Sequence, residues 1–83
     1  MADEVVYDDR KDGLGHVVQQ VPNGFTWMYF EPDEEVPVAG GSRAYPTVGD
    51  ALRAAADEWE GCGGDRRTAA QLRLAADRAA QPI

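Results

Sequence analysis

The sequence of 83 residues contains only one cysteine, one histidine and one lysine, and each shortage excludes a class of feature. A single cysteine, Cys62, allows no intrachain disulfide, which suits a reducing compartment. One histidine and one cysteine cannot supply the four ligands of a typical zinc site, so we expect no metal. No apolar run approaches the roughly 20 residues that span a bilayer, so we expect no membrane segment.

The N-terminal residues also lack the pattern of a secretory signal. The stretch MADEVVYDDRKDG has no basic segment followed by an apolar one. We therefore expect a cytoplasmic protein. Many alanines, arginines and glycines beside one lysine, one isoleucine and one asparagine are typical of a GC-rich genome. This composition indicates an actinobacterium or its phage.

The net negative charge of the protein comes entirely from the first part of the chain. The net charge is −7, and residues 1–35 hold nine acidic side chains against two basic ones. Residues 36–83 hold six of each sign and are neutral as a whole. Such a field disfavours nucleic acids and anionic membranes as partners, and it favours a basic protein partner or simply solubility.

The first half of the chain has the pattern of short strands joined by turns. Alternating and β-branched runs predict strands at residues 4–7, 16–21, 25–30 and 36–39. Pro37 confines the last of these to a sheet edge. Asp12-Gly13 and Asn23-Gly24 are dipeptides that favour tight hairpin turns.

After residue 47 the apolar spacing changes to that of a helix. Two amphipathic helices are predicted, capped by Thr47 and Asp65 and separated by a glycine-rich turn at residues 61–64. The acidic end of the first helix and the basic start of the second favour an antiparallel hairpin. We predict an α+β fold, in which a three- to four-stranded antiparallel sheet is followed by two C-terminal helices packed as a helical hairpin. A single domain covers residues 1–83, with 1–45 mainly β and acidic and 47–81 helical.

The stretch GFTWMYFEPDEEVPVAGGSRAYPTVGDALRAA resembles a known sequence pattern. An aromatic strand, a turn, an apolar return strand and a Tyr-Ser/Thr step into a helix occur in the YegP-like small bacterial proteins of unknown function. The resemblance covers about residues 24–56, and Trp27, Tyr45 and Thr47 lie at matching positions. The chain departs from the pattern by a longer acidic loop with Pro32. The resemblance implies a ββα unit and brings no catalytic residues.

Catalytic chemistry has few candidates in this sequence. Cys62 and His16 could form a nucleophile and base, but no third group that would orient them is visible. The run from Asp8 to Gly13 is similar to a calcium loop, yet it has Arg10 where a ligand belongs. We expect no enzyme activity, no catalytic residues and no cofactor.

The strand at residues 25–30 is apolar on both faces. We expect Phe25, Trp27 and Tyr29 to face the core, because three aromatic rings bury the larger area. Met28 and Phe30 then need cover, either from a partner protein or from Val5 and Val6 of the N-terminal segment. Exposed methionine and aromatic side chains beside a polar rim are common at interfaces.

These patterns favour a small non-enzymatic, cytosolic protein-interaction module, encoded by a phage or acting as an accessory protein. It would bind itself as a homodimer, a host protein, or both. The predicted interaction residues are Met28, Phe30, Asp33, Glu34 and Glu35. The alternative is an acidic inhibitor that mimics DNA and binds a basic or DNA-binding protein.

Overall fold

The chain forms a sheet layer and a helix layer. A computed structural model describes residues 4–41 and 43–80. The strands are β1 (Glu4–Asp8), β2 (His16–Val21), β3 (Gly24–Tyr29) and β4 (Ala39–Gly40), and the helices are α1 (Val48–Gly61) and α2 (Arg66–Ala80). The sheet is antiparallel in the order β1-β2-β3-β4, so the predicted α+β fold is confirmed. Residue 81, the predicted end of the helical part, lies outside the described residues.

The hairpin of β2 and β3 sets which side chains face the helices. Val18 lies directly opposite Trp27, and Val21 lies opposite Gly24, so Pro22 and Asn23 form the turn in place of the predicted Asn23-Gly24 pair. Opposed residues share a face of the sheet, and alternate residues on a strand point to opposite faces. Phe25, Trp27 and Tyr29 therefore face the helices, as predicted, and they pack in or against the core.

Both helices begin at the predicted caps. The Thr47 hydroxyl accepts a hydrogen bond of 3.0 Å from the main-chain N–H of Asp50. The Asp65 carboxylate accepts one of 2.8 Å from the main-chain N–H of Thr68. Each cap satisfies an N–H group that has no partner inside its helix.

The core lies between the sheet and the helical hairpin and is built mostly from small side chains. Its buried residues are Val18, Trp27, Ala51, Leu52, Ala55, Ala56, Ala69, Leu72 and Ala76. Five alanines let the helices lie close together, which leaves Val18, Trp27 and the two leucines to fill the volume. Ala79, near the end of α2, is exposed and does not belong to this core.

Ion pairs link the two helices along their exposed side. Arg73 donates hydrogen bonds to Asp57 and Glu60, and Arg53 donates one of 3.0 Å to Asp77. The acidic end of α1 is thus compensated by α2, as expected of an antiparallel hairpin. The partner is Arg73 in the middle of α2, and not the arginines at its start, because it lies opposite these acids.

Candidate functional site

The side of the sheet that faces away from the helices is defined by alternation along the strands. Here it is called the outer face, and it comprises Val5, Asp8, Val17, Gln19, Thr26 and Met28. Val17 lies opposite Met28, and Gln19 lies opposite Thr26. No helix of the described chain packs on this side. The second side of β3, which carries Met28, therefore lies on the outer face, where no helix of the described chain covers it.

One end of the outer face is covered by Arg10, from the 3₁₀ turn Arg10–Asp12 between β1 and β2. Its guanidinium binds the Asp8 carboxylate through two nitrogens, at 3.0 and 2.7 Å, and it lies 4.8 Å from the centre of the Phe30 ring. Arg10 thus connects β1 with the residue after β3. Val17, on the strand between them, is buried.

The expectation that Phe30 is exposed on the outer face is wrong. Its side chain is only 9% exposed, because Arg10 covers the ring and Gly15 pairs with its backbone. The proposed cover by Val5 and Val6 is also wrong, since both side chains are exposed. The chain covers this end itself, with a charged side chain whose ion pair keeps it in place.

Met28 is half-buried, and exposed valines lie at or near both edges of the sheet. Its neighbour on β4 is Gly40, which has no side chain to cover it. In the segment that leads into β4, Val38 is 54% and Val36 is 71% exposed, and the main-chain N–H of Val38 donates to the Tyr29 carbonyl. Val5, on the opposite edge, is 49% exposed. The outer face therefore presents Met28, with the exposed Val5 on its β1 edge and the exposed Val38 just before its β4 edge.

The acidic loop, residues 31–35, is exposed throughout and turns at Asp33, which has a positive φ of 66°. Its four carboxylates form no ion pair within the described ranges. Asp33 and Glu34 line a small cleft of about 230 Å³ together with Phe30 and Arg10. The structure thus brings together three of the five predicted interaction residues, while Met28 and Glu35 do not line this cleft.

Asp9 and His16 form a buried polar centre that the sequence did not indicate. Asp9 is 3% exposed, and its carboxylate accepts hydrogen bonds from the Tyr7 hydroxyl and from the main-chain N–H of His16. Burial raises the pKa of Asp9 and also that of Tyr7. The run Asp8-Asp9 has the composition of a solvated turn, so no local signal marks Asp9 as buried.

His16 and Cys62, the candidate base and nucleophile, lie in different surroundings, since His16 is buried and Cys62 is exposed. His16 is 1% exposed, and its ring packs among Trp27, Tyr29 and Trp59. Its Nδ1 has no hydrogen-bond partner among the described residues. The Cys62 thiol donates to Glu58 at 3.3 Å. This hydrogen bond raises the pKa of the thiol and so makes a thiolate nucleophile scarcer.

The described residues hold no cluster of three or more side chains from His, Cys, Asp and Glu that is able to bind a metal ion. In residues 4–41 and 43–80, no helix has the length and apolar character needed to cross a membrane. Comparison with family models, curated proteins and solved structures finds no match for this chain. The resemblance to the YegP-like proteins stays a prediction.

Proposed function

We propose that this chain is a small, non-enzymatic protein-interaction module that associates through the outer face of its sheet. The observation that carries the proposal is the half-buried Met28 between exposed valines on both edges, Val5 on one and Val38 on the other. A sheet face that stays in water is usually polar on every outward residue. In this chain the outward residues are partly apolar, which is typical of surfaces that bind other proteins.

A second copy of the chain is the simplest partner. Two copies related by a twofold axis bury the same patch on each other, so one apolar surface covers its equivalent. Each fully buried valine contributes roughly 1.5 kcal/mol or more. The copies carry −7 each and repel one another, and added salt screens that repulsion. The proposed dimer therefore becomes tighter as the salt concentration rises.

The acidic loop supports a second candidate, an inhibitor that mimics DNA and binds a basic protein. Four of its five residues carry carboxylates, all exposed and without an ion pair in the described chain. Attraction between opposite charges weakens as salt screens it. This candidate therefore predicts the opposite salt dependence and requires Asp33, Glu34 and Glu35. We place either activity in the cytoplasm, in an accessory or phage-encoded protein.

Sedimentation equilibrium of two variants tests the proposal. Val38→Asp and Met28→Asp each place a carboxylate in the proposed interface, and we expect the dimer to dissociate in both. Ala70→Asp is the matched control, because it adds the same charge at an exposed position of α2. A dimer that persists in both outer-face variants, or one that Ala70→Asp disrupts equally, contradicts the proposal.

A further inference from the structure

His16, at the start of β2, joins the sheet to the end of α1 through a cluster of aromatic rings. The centre of its ring lies 5.0 Å from that of Tyr29 on β3 and 5.4 Å from that of Trp59 on α1. The rings of Tyr29 and Trp59 are 5.1 Å apart, so each of the three rings contacts the other two. Because His16 is buried, the cluster keeps water away from its imidazole.

Trp59 in turn holds the connection between the two helices, residues 61–64. Its indole N–H donates a hydrogen bond of 3.0 Å to the main-chain carbonyl of Asp65, the residue that caps α2. Its own carbonyl accepts one of 2.7 Å from the N–H of Gly64. The Gly64 backbone lies so close to the indole ring that any Cβ there would clash with it. The sheet therefore holds the helix connection through the contact of Trp59 with His16 and Tyr29.

The surroundings of the His16 ring favour the neutral imidazole over its cation. The groups around it are Trp27 and Tyr29 from β3, Trp59 from α1 and Asp9 from the connection between β1 and β2. Asp9 supplies the charge, but its carboxylate already accepts hydrogen bonds from the Tyr7 hydroxyl and the His16 main-chain N–H. Burial holds the pKa of His16 below its ordinary value of 6.5, against the attraction of Asp9.

The acidic residues beside Trp59 on α1 are turned to other partners. Glu58 and Glu60 are both exposed. The Glu58 carboxylate accepts a hydrogen bond from the Cys62 thiol, and that of Glu60 accepts one from Arg73. The described contacts of these carboxylates thus lie outside the ring cluster.

We propose that His16 is a pH-sensitive latch, and that the proton it gains in mild acid releases Trp59 and the helix connection from the sheet. A charged imidazole has two N–H donors that need water or acceptors, and displacement of the Trp59 ring admits water to them. The open form binds the proton more tightly, so the proton shifts the population towards it. The opening is local, because Trp59 is half-buried and lies near the end of α1. This latch is independent of the proposed function.

The test is an NMR titration of the ¹⁵N-labelled protein between pH 7.5 and 5.0 in the presence of a soluble, neutral gadolinium chelate. His16 is the only histidine of the chain, so its ring protons report its protonation directly. We expect a midpoint below pH 6.5 and, at the same midpoint, at least about twofold stronger paramagnetic relaxation of the Trp59 indole N–H. The indole of Trp27, which is 5% exposed, is the internal control and should stay shielded.

Two variants test the coupling in both directions. His16→Phe should abolish the pH dependence of the relaxation at Trp59. Coupling is reciprocal, so Trp59→Ala should raise the midpoint of His16 towards 6.5. Leu74→Ala is the matched control, because it truncates a large, 44% exposed side chain of the helical hairpin outside the ring cluster, and it should leave the midpoint unchanged.

The proposal is overturned if His16 titrates while the Trp59 indole stays equally shielded, or if His16 does not titrate down to pH 5.0. It is also overturned if both indoles become accessible together, since that is global unfolding. A transition at Trp59 that persists in His16→Phe contradicts it as well. If His16→Phe does not fold, Trp59→Ala decides, and a midpoint of His16 equal to that of the wild type overturns the proposal.

Discussion

Asp9 and His16 bind each other through two hydrogen bonds that join the end of β1 to the start of β2. The main-chain N–H of His16 donates to the Asp9 carboxylate at 2.5 Å, and the main-chain N–H of Asp9 donates to the His16 carbonyl at 3.0 Å. The Tyr7 hydroxyl donates to the second carboxylate oxygen at 2.8 Å. Asp9 therefore determines the path of the connection that carries Arg10 onto the outer face.

Removing the Asp9 carboxylate should destabilise the protein. In Asp9→Ala the Tyr7 hydroxyl and the His16 N–H lose their acceptor while they remain largely shielded from water, and we expect a loss of roughly 2–4 kcal/mol in the free energy of unfolding. Asp9→Asn keeps an acceptor oxygen and should cost less than half as much. Urea denaturation measures both, and an alanine variant as stable as the wild type contradicts this role.

Stability should fall on mild acidification because of His16. Burial holds the pKa of this histidine below its ordinary value of 6.5, although the charge of Asp9 opposes the shift. The unfolded chain then binds the proton more readily than the native protein does. Stability is full above pH 6.5 and is lost as the pH falls through the lower native pKa, by up to about 1.4 kcal/mol per pH unit.

The variant His16→Phe isolates this effect. Phenylalanine fills the space among Trp27, Tyr29 and Trp59 without a titrating group. Urea denaturation between pH 7.5 and 5.5 should show a smaller loss of stability in this variant than in the wild type. Equal losses of stability in the two proteins would mean that the proton affinity of His16 does not change when the chain folds.

Two glycines with similar backbone angles should differ sharply in their tolerance of alanine. Gly13 and Gly15 have φ values of +83° and +96°, which favour glycine. A Cβ at Gly15 would lie 2.4 Å from the Phe30 carbonyl oxygen, whereas one at Gly13 meets nothing within 4 Å. We expect Gly13→Ala to cost about 1–2 kcal/mol and Gly15→Ala at least about 1 kcal/mol more. Thermal denaturation measures the stability of both variants. An equal loss of stability would contradict the close approach of Gly15 to the Phe30 carbonyl.

Removing Arg10 should uncover the end of the outer face. Arg10→Ala deletes the ion pair with Asp8 and the contact with the Phe30 ring. We expect a lower urea midpoint and stronger binding of a fluorescent hydrophobic dye, because Phe30 becomes exposed. Lys11→Ala is the control, because it removes the neighbouring positive charge. Lys11 forms no ion pair and no ring contact in the described structure. Unchanged dye binding by Arg10→Ala contradicts its role as the cover of Phe30.

The regular elements could be predicted because their signals are local. Thr47 and Asp65 cap helices through residues three positions away, and the predicted Asn23-Gly24 turn lies one residue from the observed turn of Pro22 and Asn23. The aromatic alternation of Phe25, Trp27 and Tyr29 likewise fixes which face of β3 is buried. Each of these signals lies within a few residues of the structure that it produces.

The surface could not be predicted, because its contacts depend on how distant segments meet. Arg10 covers Phe30 twenty positions later in the chain, and nothing near either residue indicates that they touch. Asp9 is buried in the connection between β1 and β2, where its carboxylate accepts a hydrogen bond from the Tyr7 hydroxyl. Its neighbours in the sequence have instead the composition of a solvated turn. The acidic loop is exposed, as its run of carboxylates favours, yet the cleft that it forms with Phe30 requires the tertiary fold.

The most direct measurement of the proposed function is the mass of the wild-type protein in solution by light scattering, over a range of concentrations and at low and high salt. We expect a species of twice the 9.0 kDa chain mass that forms with increasing concentration and becomes tighter at high salt. A mass of 9.0 kDa at every concentration and salt level would contradict self-association through the outer face.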